Sequence, residues 1–218
     1  MSSNFELVIF DWDGTLMDSL SRIVASMRHA AADVGLPLLD ESQIHDIIGL
    51  ELGLAILALY PQLTLAEVDI VRQRYSHHYV LLDQQACNLY PDVEKMLATL
   101  SDQGRTLSIA TGKSRKGLDR VLESVGLAHL FDGTRCADET DSKPHPAMVN
   151  ELLNYHSIDP ERVVVVGDTE FDMEMARNAN VNRIAVSWGA HNIERLHQYE
   201  PIACVDTVEQ LTRTIVGS

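Results

Sequence analysis

The sequence predicts an α/β fold: a doubly wound, mostly parallel sheet carrying an inserted all-helical domain. Three observations predict it. Short apolar runs, among them Leu7-Val8-Ile9-Phe10 and Val163-Val164-Val165-Val166, read as buried parallel strands and alternate with stretches of helical periodicity. Acids or a Thr-Gly pair follow several of these runs directly, at the carboxyl ends of strands, where open α/β sheets bind ligands. Between residues 18 and 82 no convincing strand occurs, which is more helix than a parallel crossover needs.

The elements follow in order. The first strand ends at Asp11-Trp12-Asp13-Gly14-Thr15. Leu20, Ile23, Val24, Met27, Ala31 and Val34 then recur at helical spacing until Gly35 and Pro37 stop the pattern. Asp40 is the expected N-cap of a helix bearing Ile44, Ile47 and Ile48. Gly49 and Gly53 flank Leu50-Glu51-Leu52, and helical character resumes at Ala55, Ile56, Leu57 and Leu59. Pro61 breaks it, and Thr64 caps a further helix over about Leu65 to Leu82.

Asn88-Leu89-Tyr90-Pro91 leads into a helix through Val93, Met96, Leu97 and Leu100, closed by Gly104. Thr106 to Ala110 is the second strand, ending at Thr111-Gly112-Lys113-Ser114, and a helix through Leu118, Val121, Leu122 and Val125 follows. A third strand is placed at residues 131–137. Ser142-Lys143-Pro144-His145-Pro146 is a stiff loop, with Pro146 set to be the first residue of a helix through Leu153. The valine run is the fourth strand and ends at Gly167-Asp168-Thr169, with Asp172 close behind. Met173, Met175 and Ala176 open another helix; Arg183 to Ser187 is a fifth strand, and Ala203 to Val205 a short edge strand.

Composition narrows the function. The 218 residues hold 32 acids against 17 Lys and Arg, a formal net charge of −15, which argues against the basic stripe of a nucleic-acid binder. An anionic small substrate stays possible, because local charge and a bound metal set the field in a site. No apolar run approaches the roughly 18 residues of a membrane span, and the N-terminus lacks a basic-then-apolar signal. Cys87, Cys136 and Cys204 are odd in number and widely spaced, matching neither a disulfide framework nor a zinc motif. A cytoplasmic protein is expected.

Asp11 and Asp13 repel each other at a strand end, and a hard divalent cation held by carboxylate oxygens would offset that repulsion. An EF-hand loop fails, because Gly14 follows Asp13 directly and the twelfth residue from Asp11 is Arg22 rather than Glu. Gly112-Lys113-Ser114 looks like the tail of a phosphate-binding Walker loop, yet the position that must be glycine is Leu107, inside a strand. Taken singly, Thr111 reads as a helix cap, Asp168 as a turn former and Lys143 as a surface charge. One sheet edge nevertheless gathers all of them with Asp11 and Asp13, which points to magnesium-assisted phosphoryl transfer with a carboxylate nucleophile. A phospho-acceptor receiver domain combines similar residues. It lacks a helical insert, however, and places its accepting acid after a later strand.

These four ordered motifs resemble those of the haloacid dehalogenase superfamily, in its phosphoglycolate phosphatase-like group with a helical cap, over nearly the whole chain. They are Asp11-Trp12-Asp13-Gly14-Thr15, Thr111, Lys143 in Ser-Lys-Pro-His-Pro, and Gly167-Asp168-Thr169-Glu170-Phe171-Asp172. Asp13 is missing from the dehalogenases, so its presence indicates phosphate rather than carbon–halogen chemistry. The resemblance implies a Rossmann-like core at residues 1–16 and 86–218 and a cap at 17–85. It also implies roles. Asp11 would be the nucleophile, and Asp13 the acid and then the base. Asp11, Asp168 and the Asp13 carbonyl would bind Mg²⁺. Thr111 and the Gly112 amide would grip phosphoryl oxygens, Lys143 would offset charge, and Thr15 and Asp172 would support the site. Asp172 is left between orienting Lys143 and a metal-bound water. Family phosphatases often carry Asn where this chain has Gly112.

The implied substrate is a small phosphorylated metabolite such as 2-phosphoglycolate. Pyrophosphate or nucleotide hydrolysis remains open, as does a phosphoglucomutase-like transfer, although such mutases usually have aliphatic residues at the positions of Trp12 and Thr15. Gly49 and Gly53 bracket either a specificity loop exposing Glu51 or two simple helix ends. His77 and His78, adjacent on a helix, face different ways and are expected to be solvated.

Overall fold

The computed structural model describes residues 5–82 and 88–217. Cys87 and the expected boundary at 85/86 lie outside the described residues. Six strands form one sheet: β1 (Leu7–Phe10), β2 (Thr106–Thr111), β3 (Gly133–Cys136), β4 (Val163–Gly167), β5 (Asn182–Val186) and β6 (Ala203–Val205). Their order is β3-β2-β1-β4-β5-β6 and every pair is parallel. The order reverses between β1 and its neighbour β4, the switch point where such sheets open a crevice at their carboxyl ends. β1 therefore sits in the middle, and Asp11 and Asp13 leave it directly into that crevice.

Period-two alternation splits the strands between two cores. Val8, Phe10, Leu107, Ile109, Val164 and Val166 face one side, under α5 (Val93–Asp102), α6 (Arg115–Val125) and α10 (Val208–Val216). Leu7, Ile9, Val163 and Val165 face the other, under α7 (Ala147–His156) and α8 (Glu170–Asn178). Burial on both faces explains why these strands read as unbroken apolar runs. The short α9 (Ile193–Leu196) follows β5.

Between β1 and α5 lie α1 (Leu20–Asp33), α2 (Glu41–His45), α3 (Leu52–Leu59) and α4 (Leu65–Leu82). They share a separate apolar cluster that includes Val24, Met27, Ile44, Ile56, Val68 and Val71. Asp40 and Gln43 form the capping box of α2, and Thr64 and Glu67 form a reciprocal pair at the start of α4.

Three local expectations need correction. The third strand is shorter than 131–137: an edge strand with its first three residues only partly buried has little apolar signal to mark its ends. Pro146 precedes α7 as its N-cap rather than opening it. His78 is not a solvated side chain, because its ring stacks on His29 and its Nε2 lies 2.8 Å from Asp33; His77 is exposed as expected.

Candidate active site

The site is built from the residues that leave β1, β2 and β4 and from the loop before α7. Asp11 is buried, and its Oδ1 lies 2.8 Å from Lys143 Nζ. Lys143 is itself buried and donates to Asp172 Oδ1 at 2.6 Å. Asp168, also buried, accepts from the Thr15 hydroxyl at 2.6 Å and from the Ala190 amide at 2.7 Å. Asp172 is the N3 residue of α8, and its Oδ2 accepts from the amide and hydroxyl of Thr169, the helix N-cap. Of the two roles expected for Asp172, the contact that would orient Lys143 is present.

Backbone shape makes this packing possible. Gly14 adopts a φ of +79°, and a Cβ there would stand 2.3 Å from Asp168 Oδ2. The turn after the first motif needs glycine both for its dihedral and for the approach of the fourth motif.

Electrostatics identify what the cluster lacks. Asp11, Asp168 and Asp172 each offer an oxygen within 4.8 Å of the others, with Lys143 the one cation among them in the described residues. Burial, opposed by Lys143 and reinforced by Asp172 and Asp168, pushes the Asp11 carboxyl well above its ordinary range. Burial and then Asp172 push Asp168 up to about 7. For Lys143, burial acts to lower its pKa, but Asp11 and Asp172 overcome it and hold the ammonium charged. Three buried carboxylates sharing one ammonium are short of positive charge, and removing ions from water costs several kcal/mol each, roughly, unless they are paired. A hard divalent cation with oxygen ligands fits this donor set.

Asp13 lies at the mouth of the cluster. Its Oδ1 accepts from the Ser19 hydroxyl at 2.6 Å, and its Oδ2 lies 2.8 Å from Lys113 Nζ. Lys113 also donates to the Tyr79 hydroxyl at 3.2 Å and sits 4.7 Å above that ring, so α4 reaches across to the acid of the first motif. Burial would lower the Lys113 pKa, but Asp13 and the Tyr79 and Tyr75 phenols keep it charged. Thr111 ends β2, buried, and lines the same cavity as Asp11, Asp13 and Gly112.

Gly112 has a steric reason. A Cβ there would lie 2.6 Å from the Gly49 carbonyl oxygen and 2.7 Å from that of Leu50. The segment between α2 and α3 therefore lies directly on the second motif. It is also held at Glu51, whose amide donates to the Ser142 hydroxyl at 3.0 Å, and at Asp46, 2.6 Å from Arg195 Nη1. Glu51 is not an exposed loop residue: it caps α3 through the Leu54 amide and pairs with Arg72 at 3.2 Å. Sequence reasoning missed Lys113, Ser19, Ser142 and Tyr79 as neighbours of the site. Lys113 carried a signal, two residues beyond Thr111 at a strand end, that was assigned to a failed Walker loop.

Comparison with known proteins agrees with this geometry. The haloacid dehalogenase-like hydrolase family matches residues 8–186. A probable phosphatase, IndB, of Dickeya dadantii is 35% identical over 94% of this chain and 91% of its own length. Phosphoglycolate phosphatase of Vibrio cholerae is 29% identical over 99% of both chains. Among solved structures, a predicted phosphoglycolate phosphatase from Haemophilus somnus superposes with a TM-score of 0.86 at 27% identity, covering 97% of this chain and 98% of the other. A haloacid dehalogenase-like family hydrolase from Streptococcus pneumoniae gives 0.82 at 25% identity, covering 95% and 97%. With the four motifs gathered at one sheet edge and the family match spanning most of its length, the chain belongs to the haloacid dehalogenase-like hydrolases.

Proposed function

We propose that this hydrolase is a magnesium-dependent phosphatase of small phosphomonoesters, working through an aspartyl-phosphate on Asp11. The carrying observation is the buried set of Asp11, Asp168 and Asp172 around Lys143, with Asp13 beside it held by Ser19 and Lys113. An Asp11 oxygen attacks phosphorus and the ester P–O bond breaks, while Asp13 gives its proton to the leaving oxygen. Asp13, now a carboxylate, takes a proton from water; the water oxygen attacks phosphorus, and the bond to Asp11 breaks. One group serves as acid and then base because the second step reverses the proton traffic of the first. Thr111 and the Gly112 amide bind phosphoryl oxygens, and Lys143 offsets charge between nucleophile and phosphate. Magnesium, held by Asp11, Asp168 and the Asp13 carbonyl, would stabilise charge on the phosphoryl oxygens.

The helices from α1 to α4 act as a cap, residues 17–85, over a core of 1–16 and 86–218. The contacts of Gly49, Leu50, Glu51 and Asp46 with the core support a closed cap that excludes water from the reaction. No helix among the described residues is long and apolar enough to cross a membrane, and the widely spaced cysteines suit a reducing, cytoplasmic setting. The phosphatases among its relatives make 2-phosphoglycolate the first substrate to try.

Phosphate release from a panel of 2-phosphoglycolate, sugar phosphates, nucleotides and pyrophosphate, with and without Mg²⁺, tests this reading beside Asp11→Asn. Turnover that requires both magnesium and Asp11 is expected. Equal release by Asp11→Asn would remove the nucleophile assignment.

A further inference from the structure

The cavity in front of Asp11 is larger and less polar than a two-carbon acid requires. It encloses about 590 Å³, within the roughly 300–1,000 Å³ of pockets that engulf drug-sized molecules. Asp11, Asp13 and Thr111 line it. Much of the apolar lining comes from the cap: Met27 of α1, Ile47 and Leu50 before α3, Ala55 within it, and Tyr75 and Val80 of α4. Glycolate carries a single methylene between its ester oxygen and its carboxylate, so it would leave this wall facing water.

Cations also line the cavity, although the chain as a whole carries −15. The Tyr79 ring has Lys113 at 4.7 Å, Arg22 at 5.4 Å and Arg120 at 5.6 Å from its centroid. Lys116 lies four residues before Arg120 on α6, lines the same cavity, and makes no hydrogen bond or ion pair among the described residues. The further acids on the cavity are already engaged: Glu51 pairs with Arg72, and Asp138 accepts from the Arg115 amide. An exposed lysine without a partner among the described residues, on a cavity also lined by apolar cap side chains, selects for an amphipathic ligand.

Building on the phosphatase reading, we infer that the preferred substrate is a phosphomonoester whose leaving alcohol carries an apolar, ring-sized body and, beyond it, a second acidic group. The body lies against the apolar lining of Met27, Ile47, Leu50 and Ala55, and the acidic group meets Lys116 on α6. Tyr79 links this region to Asp13 through Lys113, so the specificity wall and the acid–base residue are joined by one side chain.

Matched alkyl esters isolate the pocket from leaving-group ability. Ethyl phosphate, 2-phenylethyl phosphate, its para-carboxylate and 2-phosphoglycolate would be compared by kcat/KM with Mg²⁺. The phenyl group should raise kcat/KM about 10- to 100-fold over ethyl phosphate, as burial of a Phe-sized group predicts. The para-carboxylate should add a further gain of about 3- to 10-fold, and Lys116→Glu should abolish that second gain while keeping the first. Lys116 is exposed, so this variant does not disturb the core. Equal rates for ethyl and 2-phenylethyl phosphate, or a kcat/KM for 2-phosphoglycolate above both phenylethyl esters, would overturn the inference and leave the phosphatase reading intact. Hydrolysis of no ester, or release that survives Asp11→Asn, would instead overturn the phosphatase reading and this inference with it.

Discussion

Lys143→Met is the most informative single perturbation of the carboxylate cluster. Methionine keeps an unbranched apolar stem of comparable reach and removes only the ammonium that lies 2.8 Å from Asp11 and 2.6 Å from Asp172. Both partners and the lysine are buried, so solvent cannot substitute for the lost charge. Breaking a buried ion pair by removing one member costs about 3–5 kcal/mol. For a chain of 218 residues this corresponds to a fall in Tm of roughly 6–20 °C. The loss should be greatest in chelator at neutral or higher pH, and smaller at pH 5, where Asp11 and Asp168, both raised by burial, take up protons. Magnesium should return part of it by supplying positive charge to the same oxygens. The assay is thermal unfolding of parent and variant, each in EDTA and in Mg²⁺, at two pH values. Phosphatase kcat on any turned-over ester should fall about 100- to 1,000-fold with the lost charge stabilisation. A variant that melts within about 2 °C of the parent in EDTA would refute the claim that Lys143 is what balances the buried acids around it.

Further consequences follow from other contacts. Gly112→Ala places a methyl 2.6–2.7 Å from the Gly49 and Leu50 carbonyls, so the cap must shift; overpacking of about 1–3 kcal/mol should reduce kcat/KM roughly 5- to 150-fold. Steady-state kinetics, together with a Tm lowered by about 2–12 °C, would check it. Thr15→Val removes the 2.6 Å hydrogen bond to Asp168 and should weaken magnesium activation about 10- to 100-fold, read from the Mg²⁺ dependence of activity. The metal-free protein should also lose stability as pH rises. The folded-state pKa of Asp168, raised by burial to about 7, lies above its ordinary value of 3.8, so the folded form binds the proton more tightly. Its contribution is fully present below about pH 4 and is lost as pH rises through about 7. Differential scanning calorimetry in EDTA between pH 5 and 8, repeated with Mg²⁺, should show a decline that magnesium reduces.

The parts legible in the sequence were those fixed by local pattern. β1 and β4 are buried on both faces and therefore appear as plain apolar runs, and parallel pairing at the centre of the sheet brings their following acids together. The absence of strand between Asp18 and Leu82 was equally local, and α1 to α4 occupy that stretch. What escaped depends on approach between distant segments. Gly112 meets Gly49 and Leu50 across some sixty residues, and nothing in a Thr-Gly pair announces a carbonyl 2.6 Å away. Glu51 looked free because its partners, Arg72 and the Leu54 amide, exist only once α3 and α4 are folded. Lys113 was misread because a motif familiar from phosphate loops hid its simpler position, two residues past Thr111 and next to Asp13. β3 was overextended because an edge strand half open to solvent has no apolar contrast at its ends.

The central claim is covalent catalysis by Asp11. The most direct measurement is an acid quench during turnover of a good ester in Mg²⁺, followed by borohydride reduction and peptide mass mapping. An aspartyl-phosphate is reduced to homoserine, so the account predicts homoserine at position 11 and nowhere else, absent without substrate and in Asp11→Asn. Sustained phosphate release with Asp11 always recovered unmodified, or with the reduced residue at Asp13 or Asp168, would contradict it.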